Sequence, residues 1–511
     1  MTGSQSSEQP SGIAVHNDAP ASDRLWSIET GGIRPISDAE RHGKPSEMFW
    51  VWFAANMGIT ALPFGAYLVT FYSLNLTQAI FAAIIGCVLS YALVGLVGVA
   101  GIRAGAPTMV VSRASFGVIG NKLPTLISYL TCIGFEILLM AIATLAFGAI
   151  LTRVGIGGGK VTLAIAFAIA ALITIAISLL GHATIVRMAT IFTWIYGIMI
   201  IPFMILSLSQ IDVHKVATLP TGHFLGGFIG GISIVAVGLG LGWVNTGSDY
   251  TRYLPRNTKT RSLVGWTVIG SSIAPIVLIV FGSLLAASDS NLAVAADPVS
   301  YLARPLPTWF LLPFMITAGI GLIAAALTEM YSSGLSLMTL GLRVPRYKSV
   351  GIDGILMIIG VVYIVFFAPS FFGAFAGFVV TLAAILAPWV AVFLVDMWLY
   401  RRAGYADEDL YVTTGRYGAW NWAGLTAFIV SSVLALGLVT STAPAFSWVG
   451  YFLGPFGGKT GAIGASNLGA VFGMILAGIL YALLSRLLPV RARTPVAAQA
   501  VAAGAAMRPT E

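Results

Sequence analysis

Twelve apolar runs, each close to the length of a membrane crossing, tile this chain from Met48 to Leu484 and leave little room for anything else. A hydrocarbon core of about 30 Å needs roughly 20 apolar residues of helix, because each residue advances the axis by about 1.5 Å. The runs begin near Met48, Ala79, Leu126, Val161, Met188, Phe224, Val264, Trp309, Gly351, Phe371, Ala423 and Leu468, and are numbered here spans 1 to 12. Span 9, which stops before Pro369, is the shortest. With 58% hydrophobic residues, 9% charged residues and a mean hydropathy of +0.91, the chain lacks the polar surface of a soluble globule, in which about 25% of residues are charged. The sequence predicts an all-α polytopic membrane protein with twelve transmembrane helices.

Charge tests the count. When the loops are assigned alternately to two sides, 22 of the 27 Lys and Arg residues fall on one side, and Arg153, Lys160, Lys215, Arg304 and Lys459 fall on the other. Basic residues collect on the cytoplasmic side of a membrane, so both termini are expected in the cytoplasm and the protein in the plasma membrane. The net charge of +8 is then a consequence of topology and calls for no nucleic-acid partner. Residues 1–45 and 489–511 lack apolar periodicity and read as disordered cytoplasmic tails. Between them, 46–400 reads as a transport core and 401–488 as two peripheral helices. Cys87 and Cys132 lie inside runs, where a thiol behaves as a small hydrophobe.

No Lys or Arg falls inside a run, but Glu136 and Glu329 do. A carboxyl at bilayer depth costs on the order of 2.5–3.5 kcal/mol on insertion scales, which makes an ion, proton or substrate path the default reading. Glu136 sits about ten residues into span 3, near mid-bilayer, with no basic neighbour. Desolvation there favours the neutral acid, which can take up and release a proton as its surroundings open to each side. The bland alternative is a permanently protonated carboxyl bonded to a backbone carbonyl. Glu329 lies nearer the cytoplasmic end of span 8, where it could instead face an aqueous vestibule.

Spans 1 and 6 are poorly suited to uninterrupted helix. The first contains Asn56, Gly58, Pro63 and Gly65, and the sixth contains Gly238, Gly240 and Gly242 followed by Trp243. A single glycine often serves close helix packing. Here the two breaks occupy corresponding places in successive five-helix sets, which points to a 5+5 inverted repeat with a substrate site at the midplane. Spans 3 and 8, which hold the two glutamates, then correspond as well.

Several stretches together resemble the purine-cytosine permeases of nucleobase:cation symporter family 1. They are Ile28 to Pro35 in the tail, Phe49 to Met57 opening span 1, Ser112 to Gly117 with Gly120 and Asn121 after span 2, and Asp249 to Pro255 closing span 6. The resemblance implies a LeuT-like fold, alternating access, and uptake of a nucleobase or related heterocycle with a coupling cation. It also marks departures. Similar fungal members read Asn-Leu-Tyr-Ser where this chain has Glu329-Met330-Tyr331-Ser332, with Ala325-Ala326 in place of an Asn pair. Their span-3 Trp is Phe135, and the Asn a turn later is Leu139.

The candidate substrate residues are Asn56, Gly58, Phe135, Glu136, Trp243 and Glu329. Trp243 and Phe135 can stack on a planar ring, and Glu329 offers two acceptor oxygens to adjacent N–H donors. Asn56 can serve either the ligand or freed backbone groups. Asp249 and Arg252 are expected to form a gate or helix-end ion pair at the cytoplasmic end of span 6. No cofactor, metal-ligand spacing or nucleophile motif is found, so an enzyme is not expected. The leading reading is a proton-coupled heterocycle symporter. An amino-acid or other small-solute permease of the same fold, coupled to sodium, is the alternative. Sodium-coupled relatives place a Ser/Thr pair midway along span 8, whereas Gly321 to Leu327 carries no hydroxyl.

Overall fold

The computed structural model describes Trp26 and residues 32–180, 182–294, 301–302, 304, 306–342, 344–367, 371–441 and 443–488. Most of both expected tails lies outside these residues. Span 1 is two helical pieces, Glu47–Asn56 and Ile59–Thr70, bent by 65° at the break between them. The others are span 2 (Leu76–Ala104), span 3 (Lys122–Arg153), span 4 (Lys160–Ser178), span 5 (His182–Ser207) and span 6 (Phe224–Thr251). Then come span 7 (Thr260–Ser288), span 8 (Thr308–Thr339), span 9 (Arg346–Phe366), span 10 (Phe371–Tyr400) and span 12 (Gly469–Leu487). Among the described residues ten helices are long and apolar enough to cross a membrane, or eleven when span 1 counts as one. The expected span 11 is Trp422–Leu436, only 15 residues, and it, rather than span 9, is the shortest. Gly437 ends it where a longer helix was expected.

The break in span 1 has a local cause. Met57 and Gly58 leave the helical region, and Pro63 starts the second piece where its missing N–H is no loss. Carbonyls near the end of the first piece find donors, as buried backbone must. Met57 N–H reaches Phe53 O at 2.8 Å, Asn56 Nδ2 reaches Trp52 O at 2.9 Å, and the Thr193 hydroxyl of span 5 reaches Ala54 O at 3.3 Å. The second piece lies hard against span 7. A Cβ on Gly65 would sit 2.0 Å from Ile279 O, and one on Gly282 would sit 2.1 Å from Leu62 O, so only glycine permits this crossing.

Span 6 is interrupted at Leu239, inside the expected window, with φ −117° and ψ −95°. It continues as a short helix through Trp243 and a 3₁₀ turn at Val244–Thr246 before Gly247–Thr251, without the sharp bend of span 1. Span 3 packs along span 8, span 7 packs against spans 1 and 2, and spans 10, 11 and 12 pack on one another.

One expectation is overturned at the Arg-rich face. Residues 32–45, read from sequence as disordered tail, are folded as a strap under the helix ends. A capping box joins Ser37 and Glu40, Ile36 N–H bonds Gly105 O at 2.8 Å, and His42 N–H bonds Tyr253 O at 2.8 Å. The Arg41 guanidinium donates to Ile102 O at 2.7 Å and Leu254 O at 3.0 Å. The sequence shows no apolar period here because the strap is held by backbone and guanidinium hydrogen bonds instead of a hydrophobic face.

Candidate functional site

Where the two breaks face each other, residues of spans 1, 3, 6 and 8 line a common cavity. Asn56 and Gly58 line it from span 1, Leu239 and Trp243 from span 6, Phe135 from span 3 and Glu329 from span 8. The sequence-selected residues Asn56, Gly58, Phe135, Trp243 and Glu329 are therefore brought together. Apart from Asn56 and Thr60 the rest of the lining is apolar, and among the described residues Glu329 is the one ionisable lining residue, only 1% exposed. It faces the cavity, not a vestibule.

Each aromatic is held in place. Trp243 meets Trp52 edge-on at 5.8 Å between centroids, and Phe135 meets Phe378 of span 10 the same way at 5.8 Å. Phe135 also lies over span 6 where that helix has no side chain, since a Cβ on Gly242 would fall 2.8 Å from its Cζ. This glycine thus sets the depth of the Phe135 ring. One Glu329 oxygen, Oε2, is buried with no hydrogen bond, and the Cys132 thiol sits beside the carboxyl. Cys132, taken as a filler from sequence, is therefore next to the site.

Asn56 lines the cavity, yet its amide is engaged elsewhere. Its Nδ2 donates to Trp52 O, and its Oδ1 accepts from Tyr91 OH of span 2. Glu136 follows Phe135 but does not line the cavity. It is fully buried beside the cavity wall, facing Ser333 of span 8 and Asp353 of span 9.

Between the cavity and the Arg-rich face stands an aromatic layer. Tyr250 meets Trp52 at 5.6 Å and Tyr331 at 5.8 Å. Below it the buried Arg252 donates to Tyr331 OH at 2.8 Å, to Tyr253 OH at 2.9 Å and to Gly32 O of the strap at 3.0 Å. Asp249 instead accepts from Thr108 N–H at 2.8 Å and from the Thr108 hydroxyl at 2.9 Å. Among the described contacts the expected Asp249–Arg252 ion pair is not formed: three residues apart at the end of one short helix, Asp249 turns to Thr108 and Arg252 to the tyrosines and the strap.

Sequence reasoning missed Asp353 and Asp396, although both lie inside recognised runs. Asp353 of span 9 accepts from Tyr129 OH at 2.7 Å and from the Ser333 hydroxyl at 3.0 Å. Asp396 of span 10 accepts from Tyr481 OH of span 12 at 2.6 Å and pairs with Arg401 at 3.2 Å, which ties a peripheral helix to the core.

A many-helix membrane fold with a broken first span beside a largely apolar cavity is the architecture of a solute transporter. The family of permeases for cytosine/purines, uracil, thiamine and allantoin matches residues 35–454, and the chain belongs to this family, nucleobase:cation symporter family 1. It is 28% identical over 466 residues to "Putative purine-cytosine permease YxlA" of Bacillus subtilis, covering 90% of this chain and 96% of that one. Purine-cytosine permease FCY21 of Saccharomyces cerevisiae is 24% identical over 273 residues, 53% of this chain and 50% of the relative. Among solved structures, Mhp1, a nucleobase-cation-symport-1 family transporter in a closed conformation with bromovinylhydantoin bound, superposes with a TM-score of 0.71. The identity is 20%, covering 91% of this chain and 97% of that one. The inward-facing conformation of Mhp1 gives 0.70, with 17% identity over 96% and 100% of the two chains. The protein is thus an integral membrane transporter and not an enzyme.

Proposed function

We propose that this chain imports a nucleobase or a related planar heterocycle across the plasma membrane by alternating access, coupled to protons, with its Arg-rich face and both termini in the cytoplasm. The observation that carries the reading is the cavity itself. Two positioned aromatics, Trp243 and Phe135, and a single carboxyl, Glu329, face a largely apolar space at the helix breaks. Rings can stack a planar base, and a carboxylate accepts from two adjacent N–H groups of an amidine-like edge.

Proton coupling is supported by what surrounds the break in span 1. Ala54, Ala189 and Ala324 pack into a small apolar cluster where spans 1, 5 and 8 meet, and Thr193 already donates to Ala54 O. Sodium needs several hard oxygen ligands, and this junction offers methyl groups. Glu136 supplies the titratable group in their stead.

Uptake and competition with labelled cytosine, purines and allantoin test the substrate class. Trp243→Ala is expected to weaken equilibrium binding of the preferred base by roughly 5- to 150-fold, the worth of about 1–3 kcal/mol of stacking. Glu329→Gln is expected to weaken it at least as much. Unchanged affinity in both purified variants overturns the assignment.

A further inference from the structure

We propose that Glu136 and Asp353 form a two-carboxyl proton site, bridged by the Ser333 hydroxyl, which carries the coupling proton outside the substrate cavity. The proposal rests on the proton-coupled reading and adds its second member. Tyr129, Cys132 and Glu136 lie at i, i+3 and i+7 on one face of span 3. Span 8 runs antiparallel against that face, with Ser128 and Ser336 hydroxyls 3.2 Å apart, and presents Glu329 and Ser333 one turn from each other. Span 9 closes the group with Asp353.

The two carboxyls are fully buried but unequally served. Asp353 receives one hydroxyl on each oxygen, from Tyr129 at 2.7 Å and Ser333 at 3.0 Å. Glu136 receives none, although Ser333 and Asp353 both face it. An ionised carboxylate needs donors, whereas a carboxylic acid carries its own. The charge therefore resides on Asp353 and the proton on Glu136. Among the described residues, the other titratable groups shown facing Glu136 and its neighbours are Tyr129 and Cys132 of span 3 and Glu329 of span 8, with Asp249 of span 6 beyond Glu329.

Ser333 offers a relay between the two carboxyls once a side-chain rotation closes its hydroxyl onto Glu136. Its hydroxyl gives its proton to Asp353 Oδ2 and takes the proton of Glu136, so one proton moves from Glu136 to Asp353 and one negative charge moves back. Asp353 is seven residues past the start of span 9 at Arg346, about 10 Å from the Arg-rich end along the axis. Glu329, on the cavity wall, lies at the other end of the route.

The test uses the full-length protein in proteoliposomes with its preferred labelled base under an imposed pH gradient, and base binding in detergent. Glu136→Gln and Asp353→Asn are each expected to lose gradient-driven accumulation at least tenfold while binding the base within about threefold of wild type. The double variant is expected to be no worse than either single one. Tyr129→Phe, which removes a donor from the charged Asp353, should move the midpoint of the uptake–pH profile up by about one unit. If wild-type uptake ignores the pH gradient, the coupling reading falls and the pair with it. If Glu136→Gln is uncoupled while Asp353→Asn accumulates normally and Tyr129→Phe keeps the wild-type midpoint, the pair alone is overturned.

Discussion

At the scale of single residues, Asn56 shows how a polar side chain at a break is divided between fold and ligand. Its amide joins Trp52 O of the same helix to Tyr91 OH of span 2, so truncation strands two buried polar groups at once. Each costs about 1–3 kcal/mol when left unpaired. Asn56→Ala is therefore expected to lower the thermal unfolding midpoint of the purified protein, with Tyr91→Phe lowering it less. The two together should cost less than the sum, by about 1 kcal/mol in a double-mutant cycle; strict additivity would show that the pair does not interact. The sequence pointed to Asn56 because an amide beside Gly58 and Pro63 stands out, but its two possible roles differ only in where Tyr91 lies, 35 residues on. Asp353 was visible too, inside a run, yet its second-turn position suits an interfacial helix start. Its contact with Tyr129 spans 224 residues of sequence, and the one with Ser333 depends on how the preceding helix packs.

At the scale of elements, the strap and the end of span 6 form one closure. Arg252 bonds a strap carbonyl, two tyrosine hydroxyls and stacks over Tyr253 at 4.9 Å, joining the strap to spans 6 and 8. Hydrogen bonds to charged groups are worth about 1.5–3 kcal/mol each, so Arg252→Ala should raise the open population by an order of magnitude or more. Buried Cys132 reports it. In a Cys87→Ala background, maleimide labelling of Cys132 is expected to accelerate at least tenfold with Arg252→Ala, and an unchanged rate would deny Arg252 a gating role. The Glu40 carboxyl of the strap should not contribute to pH dependence near neutrality. Hydrogen bonding to Arg34 holds the Glu40 carboxyl down at about 2. A group depressed in the folded state adds stability that is complete above its unfolded value of about 4.3 and is lost as pH falls toward 2. Glu40→Gln should therefore leave the shape of the uptake–pH profile between pH 5 and 8 as it is in wild type.

At the scale of the whole molecule, hydropathy made the helices legible because lipid demands long apolar runs, and the glycine pattern made the breaks legible because buried backbone must find partners. Packing was not legible in the same way. The cavity is walled toward the Arg-rich face by Trp52, Tyr250, Tyr331 and Arg252, residues from three spans that only the assembled fold brings into one layer. If substrate passes by alternating access, this layer and the strap beneath it must part in every cycle, so a covalent tie across them should separate binding from transport. His42 and Tyr253 provide the place: the strap meets the span 6 exit there through a backbone hydrogen bond of 2.8 Å, with the two rings 6.2 Å apart. In a Cys87→Ala background, the pair His42→Cys and Tyr253→Cys, once oxidised, is expected to abolish uptake and counterflow in proteoliposomes while the cavity still binds the base, and a thiol reductant should restore transport. Uptake that continues in fully cross-linked protein would mean that this face does not open during transport.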